Sequence, residues 1–502
     1  MTGAVAAQIA RALAHTAPEV LLPQGRAGQN TQLTRPLSLL AAVEISPPTA
    51  MVPAAACLVA DGTSGWIAAP LLLDGGRLRR AAPGDGASAD LVRMLATRGP
   101  GPVPAGIELV TFGSPYPRAP SAGGFAGSLL ETAITVDQTH DSVVVGSGGD
   151  AVVVKWAVHA GAAPSPAAAA APERAAVAAV RHLHGAGFTE MPEPYGFLLA
   201  TVDGTKVLLA SVARYLPAAK DGWDWYVDDL QALVAHRSSI QTALAPASAI
   251  GAVVARMHLA FARPDPADPA DCGGVAPVTT ADPGSFQAWA RRGISTLDEA
   301  VAVTVGPAGQ RLRARQPAAR EVMAALGRHE PATTLLTRIH GDLHVGQVLR
   351  WPGGYAVSDF DGNPILAAFE RSAPAPPARD VAGMLRALDH VGRIVMRGHD
   401  GAADDVVQRW IPAARRAFLD AYTAELARAQ ASQLFDRRLL PAFEVEQECR
   451  ELVYAARHLP RWTYVPDAAL GALLDCLAAE PATAGAAARP APPPGAPTVK
   501  GT

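Results

Sequence analysis

The pattern of apolar and polar residues changes along this chain of 502 residues. Up to residue 102, short apolar runs alternate with turns, which predicts strands over 54–59 and 65–72 and a helix over 89–96. The first 18 residues carry spaced polar side chains among alanine, leucine and isoleucine, a pattern typical of an amphipathic helix. We therefore expect residues 1–102 to form a small α+β unit.

A second block, residues 103–217, combines strands with one helix. The predicted elements are strands over 131–136, 142–145, 151–156 and 208–215 and a helix over 172–184. A loop over 137–141 joins the first two strands, and a glycine-rich turn over 146–150 leads into the third. Leu216-Pro217 ends the last strand. We place a hinge between two lobes there.

Helical periodicity dominates from residue 218 to residue 480. The predicted helices span 227–235, 249–263, 285–303, 318–326, 378–395, 406–428 and 443–458. A loop over 264–280 interrupts them, and the alanine- and proline-rich tail 481–502 is predicted to be disordered. The predicted fold class is α+β, with a strand-rich lobe followed by a helical lobe.

Composition and charge exclude several classes of partner. The net charge is −3, from 43 basic and 46 acidic residues, so neither nucleic acid nor a membrane surface is implied. No apolar run approaches the ~20 residues needed to span a bilayer. The four cysteines lie far apart without a Cys-x-x-Cys pair, which indicates reduced thiols. We expect a cytoplasmic, monomeric protein.

Candidate chemistry is concentrated around two short strands predicted at 347–349 and 355–357. Asp342 lies four intervening residues before Gln347, and Asp359 follows the second strand. A phosphotransferase uses such an arrangement: one carboxylate orients the acceptor hydroxyl, while an amide and a second carboxylate bind a metal ion. We predict Asp342 as the catalytic residue, and Gln347 and Asp359 as ligands of Mg²⁺.

Simpler explanations remain open for the same stretch. Its polar side chains are also typical of ordinary caps and turns. His340 and His344 are candidates for zinc, although no cysteine or third histidine lies nearby in the sequence. His344 is also a candidate for contact with the acceptor.

Lys155 lies inside the strand predicted at 151–156 and is the only lysine in the first two hundred residues. Glu173, at the start of the helix predicted at 172–184, is a natural ion-pair partner for it. In phosphotransferases such a pair holds the lysine against the α- and β-phosphates of ATP. Taken singly, an edge-strand lysine and a first-turn acid have ordinary structural explanations.

The position of the loop that covers the nucleotide follows from counting strands. The glycines at 146–150 are a candidate phosphate cradle, but kinase-like lobes place that loop between the first and second strands and the lysine on the third. The nucleotide-binding residues then include Asp137, Gln138, Thr139 and Ser142, and Tyr215 lies at the hinge, where adenine would meet the backbone.

An acidic face on the helix predicted at 443–458 is a candidate acceptor site. Glu444, Glu448 and Glu451 follow one another at i, i+4 and i+7, so their side chains share one face. That face is either a solvated acidic surface or a pocket for polyol hydroxyls or a cation, with Trp462 offering its ring to a sugar. Asp361 is either a turn former before Gly362 or a further contact to the acceptor.

Several of these stretches resemble the maltokinase-like branch of the aminoglycoside phosphotransferase superfamily. The matching motifs are HGDLHVGQ at 340–347, DFDGNP at 359–364, DGW at 221–223, RDVAGMLR at 379–386 and LVYAARHLPRW at 452–462. The resemblance implies a bilobal, protein-kinase-like fold with an N-terminal cap over residues 1–102. It also implies ATP and Mg²⁺ as cosubstrates and a sugar as acceptor.

The acceptor implied by the resemblance depends on two positions. Maltokinases typically have Asp-Phe-Glu-Gly-Glu-Pro where this chain has Asp361 and Asn363. The chain is more similar to the actinobacterial glucosamine kinases, which phosphorylate the 6-hydroxyl of D-glucosamine. Glu444, Glu448 and Asp361 would favour an ammonium group, because a charge-assisted hydrogen bond contributes ~1.5–3 kcal/mol. A maltokinase making maltose 1-phosphate, an aminoglycoside or small-alcohol kinase, and a nucleotide-binding pseudokinase are the alternatives.

Overall fold

The computed structural model divides into two compact units. It describes residues 4–23, 34–47, 50–62, 65–98, 106–112, 130–134, 141–162, 175–264, 278–328, 334–363, 371, 373–397 and 402–479. The first unit comprises Met1–Pro283 and Glu330–Leu440, and the second comprises Gly284–His329 and Pro441–Thr502. The tail 481–502, predicted to be disordered, lies outside the described residues.

The first unit begins with helix α1 (Ala4–Leu13) and an antiparallel sheet. The strands are β1 (Ser38–Glu44), β2 (Ala54–Ala60), β3 (Gly65–Asp74) and β4 (Arg77–Arg80), paired in that order. Strand β2 is buried on both faces because alternate side chains enter two different apolar cores. Ala55 and Cys57 pack in the core that includes α1, whereas Ala56 and Leu58 pack in the larger core on the other face.

A second antiparallel sheet follows helix α2 (Ala87–Arg98). Its strands, β5 (Ile107–Thr111), β6 (Glu131–Ala133), β7 (Asp141–Val145), β8 (Val152–Trp156), β10 (Pro194–Val202) and β11 (Thr205–Arg214), are ordered β5-β10-β11-β8-β7-β6. The intervening strand β9 (His159–Ala162) pairs with β3 of the first sheet. One apolar core contains side chains from both sheets. In the part of the chain that the structure describes, strands of the predicted N-terminal cap (1–102) therefore share a core with the six-stranded sheet.

Two strands of this sheet, β5 and β10, are absent from the sequence prediction. The prediction also starts β11 at residue 208, three residues late. The turn between β10 and β11 contains Asp203 and Gly204, both with positive φ (49° and 78°), as an Asp-Gly hairpin turn requires. That dipeptide was the available signal for the hairpin.

Long helices form the remainder of the first unit. They are α3 (Ala175–Gly185), α4 (Gly222–Val234), α5 (Ile240–Phe261), α8 (Ala378–Arg397) and α9 (Ala402–Arg428). The prediction for α5 started at residue 249 and was too short, because the helix continues through Pro246 back to its N-cap Ser239. By length and composition α5 is apolar enough to cross a membrane, but 61% of its most apolar window is buried inside the protein. It is a core helix.

The predicted site residues flank a small hairpin in the first unit, β14 (Val348–Trp351) and β15 (Gly354–Val357). A separate two-stranded ladder joins β12 (Val278–Thr280) to β13 (Leu335–Thr337). The predicted hairpin strands are confirmed to within one or two residues. The predicted turn also holds, with Gly354 at a φ of 121° that favours glycine.

The second unit is helical in the part of the chain that the structure describes. It contains α6 (Pro283–Val303), α7 (Gly306–Leu326), α10 (Leu440–His458) and α11 (Tyr464–Ala479). Leu297, Leu312, Val445 and Leu470 belong to its own apolar core. Two predictions were wrong here: α7 begins twelve residues before 318 and runs through Pro317, and α11 was not predicted.

Candidate active site

Backbone hydrogen bonds fix the loop that carries Asp342. The N–H groups of His340 and Gly341 donate to the two carboxylate oxygens of Asp380, at 2.7 and 2.8 Å. The Asp342 N–H donates to Nδ1 of His340 at 3.3 Å, so the other ring nitrogen, Nε2, donates to the Ser358 carbonyl at 3.0 Å. The segment just before the predicted catalytic aspartate is therefore held by Asp380 on one side and by the Ser358 carbonyl on the other.

Asp380 is buried with a partner deeper in the helical core. Nε2 of His258 lies 3.1 Å from Oδ2 of Asp380, and Nδ1 of His258 lies 2.8 Å from the hydroxyl of Tyr422. Burial acts to raise the pKa of Asp380, but the hydrogen bond from His258, the charges that His258 and His340 carry when protonated, and the Gly341 N–H outweigh it and lower the pKa. Asp380 is thus a carboxylate that accepts three hydrogen bonds.

Sequence analysis assigned no role to His258 or Asp380. Asp380 lies in the first turn of α8, where an acidic residue is ordinary. His258 lies on an apolar helix. Only the match to RDVAGMLR pointed to Asp380, and no spacing rule linked the two residues.

Two glycines let neighbouring helices approach the catalytic loop. A Cβ atom on Gly222, the first residue of α4, would lie 2.0 Å from the Val345 carbonyl oxygen. A Cβ atom on Gly383 of α8 would lie 2.5 Å from the Leu343 carbonyl oxygen. These contacts explain why glycine occurs in both the DGW and RDVAGMLR motifs.

The structure brings the two predicted metal ligands together. Nε2 of Gln347 donates to Oδ2 of Asp359 at 3.3 Å, and the Ser358 N–H donates to the Gln347 carbonyl at 2.9 Å. Asp359 has a φ of 65°, a left-handed conformation that turns the chain sharply after β15. Because the Gln347 amide donates through nitrogen, its oxygen remains available to a cation.

This donor set fits Mg²⁺. Magnesium prefers oxygen ligands and is usually held by one or two protein groups plus waters and substrate phosphates. Among the described residues, no group of three or more histidine, cysteine or acidic side chains could hold a metal ion. The zinc alternative fails for His340 because both of its ring nitrogens already take part in hydrogen bonds.

His344 packs beside the catalytic loop. Its Nδ1 accepts the Gly346 N–H at 3.0 Å, and its ring centroid lies 6.1 Å from that of Trp223. Burial lowers the pKa of His344, against the opposing effect of Asp342. The histidine is therefore neutral at pH 7 with its proton on Nε2. Its predicted contact with the acceptor remains a proposal.

Lys155 lies in the middle of the nucleotide-binding sheet. Its cross-strand neighbours are Ser142 on β7 and Ser211 on β11, and directly paired residues share one face of an antiparallel sheet. Ser142 and Lys155 are thus brought together as predicted neighbours. Asp137, Gln138, Thr139 and Glu173 lie outside the described residues. The ion pair between Lys155 and Glu173 stays a prediction.

The predicted hinge is tied at both ends. The Tyr215 N–H donates to the Ala151 carbonyl at 2.9 Å, which continues the sheet one residue beyond β11. Lys220 and Arg350 exchange two backbone hydrogen bonds, of 3.0 and 2.9 Å, which joins the hinge to β14. Arg350 in turn forms a two-pronged ion pair with Asp229, at 2.6 and 3.1 Å.

The predicted acceptor residues lie in both compact units. Asp361 follows the metal-binding pair in the first unit, whereas Glu444, Glu448 and Trp462 belong to the second. Glu444 is 3% exposed and Glu448 is fully buried. The interpretation of this face as a solvated acidic surface, which the sequence left open, is therefore wrong for these two residues. Burial, followed by the charges of Glu448 and Glu446, raises the pKa of Cys449. The side chains of Glu444 and Glu448 are therefore shielded from bulk water.

Comparisons with known proteins identify the family of this chain. A model of the phosphotransferase enzyme family matches residues 132–403. The glucosamine kinase of Streptacidiphilus jiangxiensis is 43% identical over 458 residues, covering 91% of this chain and 96% of that protein. The glucosamine kinase of Mycolicibacterium smegmatis is 39% identical over 402 residues, covering 80% of this chain and 91% of that protein.

Solved structures of glucosamine kinases have the same fold. One, in crystal form B, superposes with a TM-score of 0.75 at 39% identity, covering 93% of this chain and 99% of the other. A second, in complex with glucosamine, ADP and inorganic phosphate, gives a TM-score of 0.72 at 39% identity with the same coverage. The predicted α+β, protein-kinase-like fold and the resemblance to actinobacterial glucosamine kinases are confirmed. The chain belongs to the phosphotransferase enzyme family.

Proposed function

We propose that the protein transfers the γ-phosphoryl group of ATP to the 6-hydroxyl of D-glucosamine. The observation that carries this proposal is the similarity, at 39% identity over 93% of the chain, to a kinase solved with glucosamine, ADP and inorganic phosphate. The catalytic loop of this chain has the side chains that such a reaction requires. At the level of reaction class, the protein is an ATP-dependent phosphotransferase that acts on an alcohol group.

The chemistry follows from positioning and charge. Asp342 accepts a hydrogen bond from the acceptor hydroxyl, which orients its oxygen toward the γ-phosphorus and removes the proton as the new bond forms. Gln347 and Asp359 would hold Mg²⁺, which neutralises charge on the transferring phosphoryl group. Lys155 contacts the α- and β-phosphates, with Glu173 as its partner. The loop with Asp137, Gln138, Thr139 and Ser142 covers the nucleotide, and the backbone at Tyr215 meets adenine.

Charge favours an amino sugar over a neutral sugar. Glu444 and Glu448 are buried carboxylates on α10, so solvent screens their charges poorly. Together with Asp361 they favour an ammonium group in the acceptor, while Trp462 and His344 contact the sugar ring. This division of roles is the proposal for substrate recognition.

A substrate panel tests the proposal. ADP release is measured with glucosamine, glucose, maltose and kanamycin, and the product is identified by the coupling of phosphorus to the C6 protons. We expect kcat/KM to be highest for glucosamine and the phosphate to be on C6. A preference for maltose would make the protein a maltokinase. Absence of Mg²⁺-dependent turnover with every acceptor would indicate a pseudokinase.

A charge-neutral substitution tests the amino-sugar preference. In Glu448→Gln, we expect the preference for glucosamine over glucose to fall by roughly 10- to 100-fold, since one charge-assisted hydrogen bond contributes ~1.5–3 kcal/mol. Glu321→Gln is the control, because Glu321 is 69% exposed and pairs with Arg328 at the surface. Equal discrimination in both variants would remove Glu448 from acceptor recognition.

We further propose that the protein works as a monomer in the cytoplasm, without a nucleic-acid or membrane partner. Its net charge of −3 provides no general attraction to polyanions. Light scattering should give a mass near the 51.8 kDa of one chain. A mass twice as large would contradict the monomer.

A further inference from the structure

We propose that Tyr422 is a positioning residue whose hydroxyl fixes the tautomer of His258, and thereby keeps the catalytic loop in place. The kinetic consequence rests on the proposed glucosamine kinase activity. The structural consequence, the tautomer itself, does not depend on it. Tyr422 lies on α9, far in sequence from every motif of the active site.

A chain of hydrogen bonds joins Tyr422 to the catalytic loop. The hydroxyl lies 2.8 Å from Nδ1 of His258, and Nε2 of His258 lies 3.1 Å from Oδ2 of Asp380. The same oxygen accepts the His340 N–H at 2.7 Å. Tyr422 and His258 are fully buried and Asp380 is 2% exposed, so water cannot substitute for a missing partner.

The chemistry of the three groups permits one arrangement in the neutral state. A carboxylate accepts hydrogen bonds only, so Asp380 requires a proton on Nε2 of His258. Neutral imidazole has one donor and one acceptor nitrogen, which leaves Nδ1 as an acceptor. The Tyr422 hydroxyl supplies the matching donor. Without it, Nδ1 becomes a buried acceptor with no donor, which weakens the preference for the Nε2–H form that Asp380 also favours. A population of the tautomer with the proton on Nδ1 then becomes available, and that tautomer offers no donor to Asp380.

Helix packing holds Tyr422 in reach of His258. A Cβ atom on Gly251 of α5 would lie 2.3 Å from the Phe418 carbonyl oxygen, so α5 and α9 touch backbone to backbone there. His258 follows Gly251 by two turns of α5, and Tyr422 follows Phe418 by one turn of α9. The ring of Tyr422 also packs edge-on against Phe435, with centroids 5.1 Å apart. The hydroxyl thus has a fixed position.

Tyr226 provides a matched control within the same unit. It is also a buried tyrosine, 1% exposed, but its hydroxyl has no hydrogen-bond partner among the residues that the structure describes. Tyr226→Phe therefore removes one buried oxygen without breaking a hydrogen bond, whereas Tyr422→Phe removes the partner of His258. The difference between the two variants isolates the hydrogen bond from the loss of the atom.

The first experiment compares wild type, Tyr422→Phe and Tyr226→Phe in glucosamine phosphorylation and thermal unfolding. For Tyr422→Phe we expect kcat to fall by about 10- to 100-fold, the effect of a small displacement remote from the chemistry. The KM for ATP and for glucosamine should change by less than about threefold, because the substrate contacts remain. Tyr226→Phe should keep the wild-type kcat. Equal kcat values in the two variants would overturn the proposal.

The second experiment reads the tautomer directly. Imidazole nitrogen shifts are recorded on the full-length protein labelled with ¹⁵N-histidine, with His258→Asn used for assignment. We expect the Nε2–H tautomer in wild type and Tyr226→Phe, and a population of the Nδ1–H tautomer in Tyr422→Phe. A doubly protonated His258 in wild type, or a loss of kcat without a change of tautomer, would overturn the proposal.

A double-mutant cycle separates an effect through the His258 tautomer from a purely structural effect of Tyr422→Phe. His258→Gln provides an amide donor with no tautomer to choose, so adding Tyr422→Phe to it should not lower kcat further. An additive loss would show a purely structural role and contradict the proposal. If wild type itself does not phosphorylate glucosamine, the proposed function fails, while the nitrogen shifts still decide the tautomer.

Discussion

The segment that carries Asp342 is held in place through its backbone N–H groups. The N–H groups of His340 and Gly341 bind Asp380, and the His340 ring bridges Asp342 and Ser358. On the other side of the site, Gln347 and Asp359 are held together by a side-chain hydrogen bond. At the residue scale, the group proposed to orient the acceptor and the pair proposed to bind the metal are therefore held by separate sets of hydrogen bonds.

Removing either charge from this site should abolish turnover. For Asp342→Asn and Asp359→Asn we expect kcat to fall at least about 1000-fold. A neutral amide at position 342 cannot take up the proton of the acceptor hydroxyl, and one at position 359 does not offset the positive charge of the metal ion. Asp228→Asn is the control, because that carboxylate is 58% exposed on α4. ADP release with glucosamine is the measurement. Near-normal turnover in either active-site variant would contradict the mechanism.

The metal-binding role of Gln347 has its own signature. Gln347→Ala removes the amide oxygen and should raise the Mg²⁺ concentration for half-maximal activity by roughly tenfold. A titration of activity against Mg²⁺ measures this. If only kcat changes and the Mg²⁺ dependence stays the same, Gln347 is not a ligand.

Helices α4 and α8 support the catalytic loop through direct backbone contact. Gly222 approaches the Val345 carbonyl, and Gly383 approaches the Leu343 carbonyl, each closer than any side chain allows. The loop between these two carbonyls contains His344. At the scale of elements, the loop is held between two helices whose spacing depends on glycine.

A single methyl group should disturb this packing. In Gly383→Ala the new Cβ would lie 2.5 Å from the Leu343 carbonyl oxygen, so we expect the free energy of unfolding to fall by about 1–3 kcal/mol and kcat to decrease. Gly149→Ala is the control, because a Cβ there meets nothing within 4 Å. Urea unfolding and steady-state kinetics check both effects. Equal stability of the two variants would show that the catalytic loop can move away from the new methyl group without a cost in stability.

The whole molecule depends on a buried carboxylate for part of its stability. Asp380 lies at the junction of α5, α8 and the catalytic loop, and its pKa is lowered in the folded state. A carboxyl group of this kind contributes stability that is complete above its unfolded pKa of about 3.9 and is lost as pH falls through the folded pKa. Acid therefore acts on the fold and on the active site through the same residue.

Comparison of wild type with Asp380→Asn tests this linkage. The difference in free energy of unfolding should be largest near about pH 6 and should shrink toward about pH 3, because only the wild-type side chain binds a proton in that window. Urea unfolding at both pH values is the measurement. A difference that stays constant or grows on acidification would contradict the lowered pKa.

The sequence by itself determined the fold class and the kind of reaction, and it predicted a catalytic trio. Asp342, Gln347 and Asp359 lie within 18 residues of one another around a short hairpin, so local spacing was sufficient to predict their roles. The long helices and the strands that carry Lys155 followed from periodicity for the same reason. The predicted helices started too late in α5 and α7, which contain Pro246 and Pro317, because proline is read as a helix breaker.

Only the tertiary structure decided what supports the catalytic loop. His258, Asp380 and Tyr422 lie more than a hundred residues apart at their extremes, and no local pattern distinguishes a buried hydrogen-bonded histidine from an apolar-face histidine. The burial of Glu444 and Glu448 could not be predicted either, since a helical wheel shows which residues share a face but not what packs against that face. Local spacing encodes which groups react, whereas long-range packing encodes which groups hold them in place.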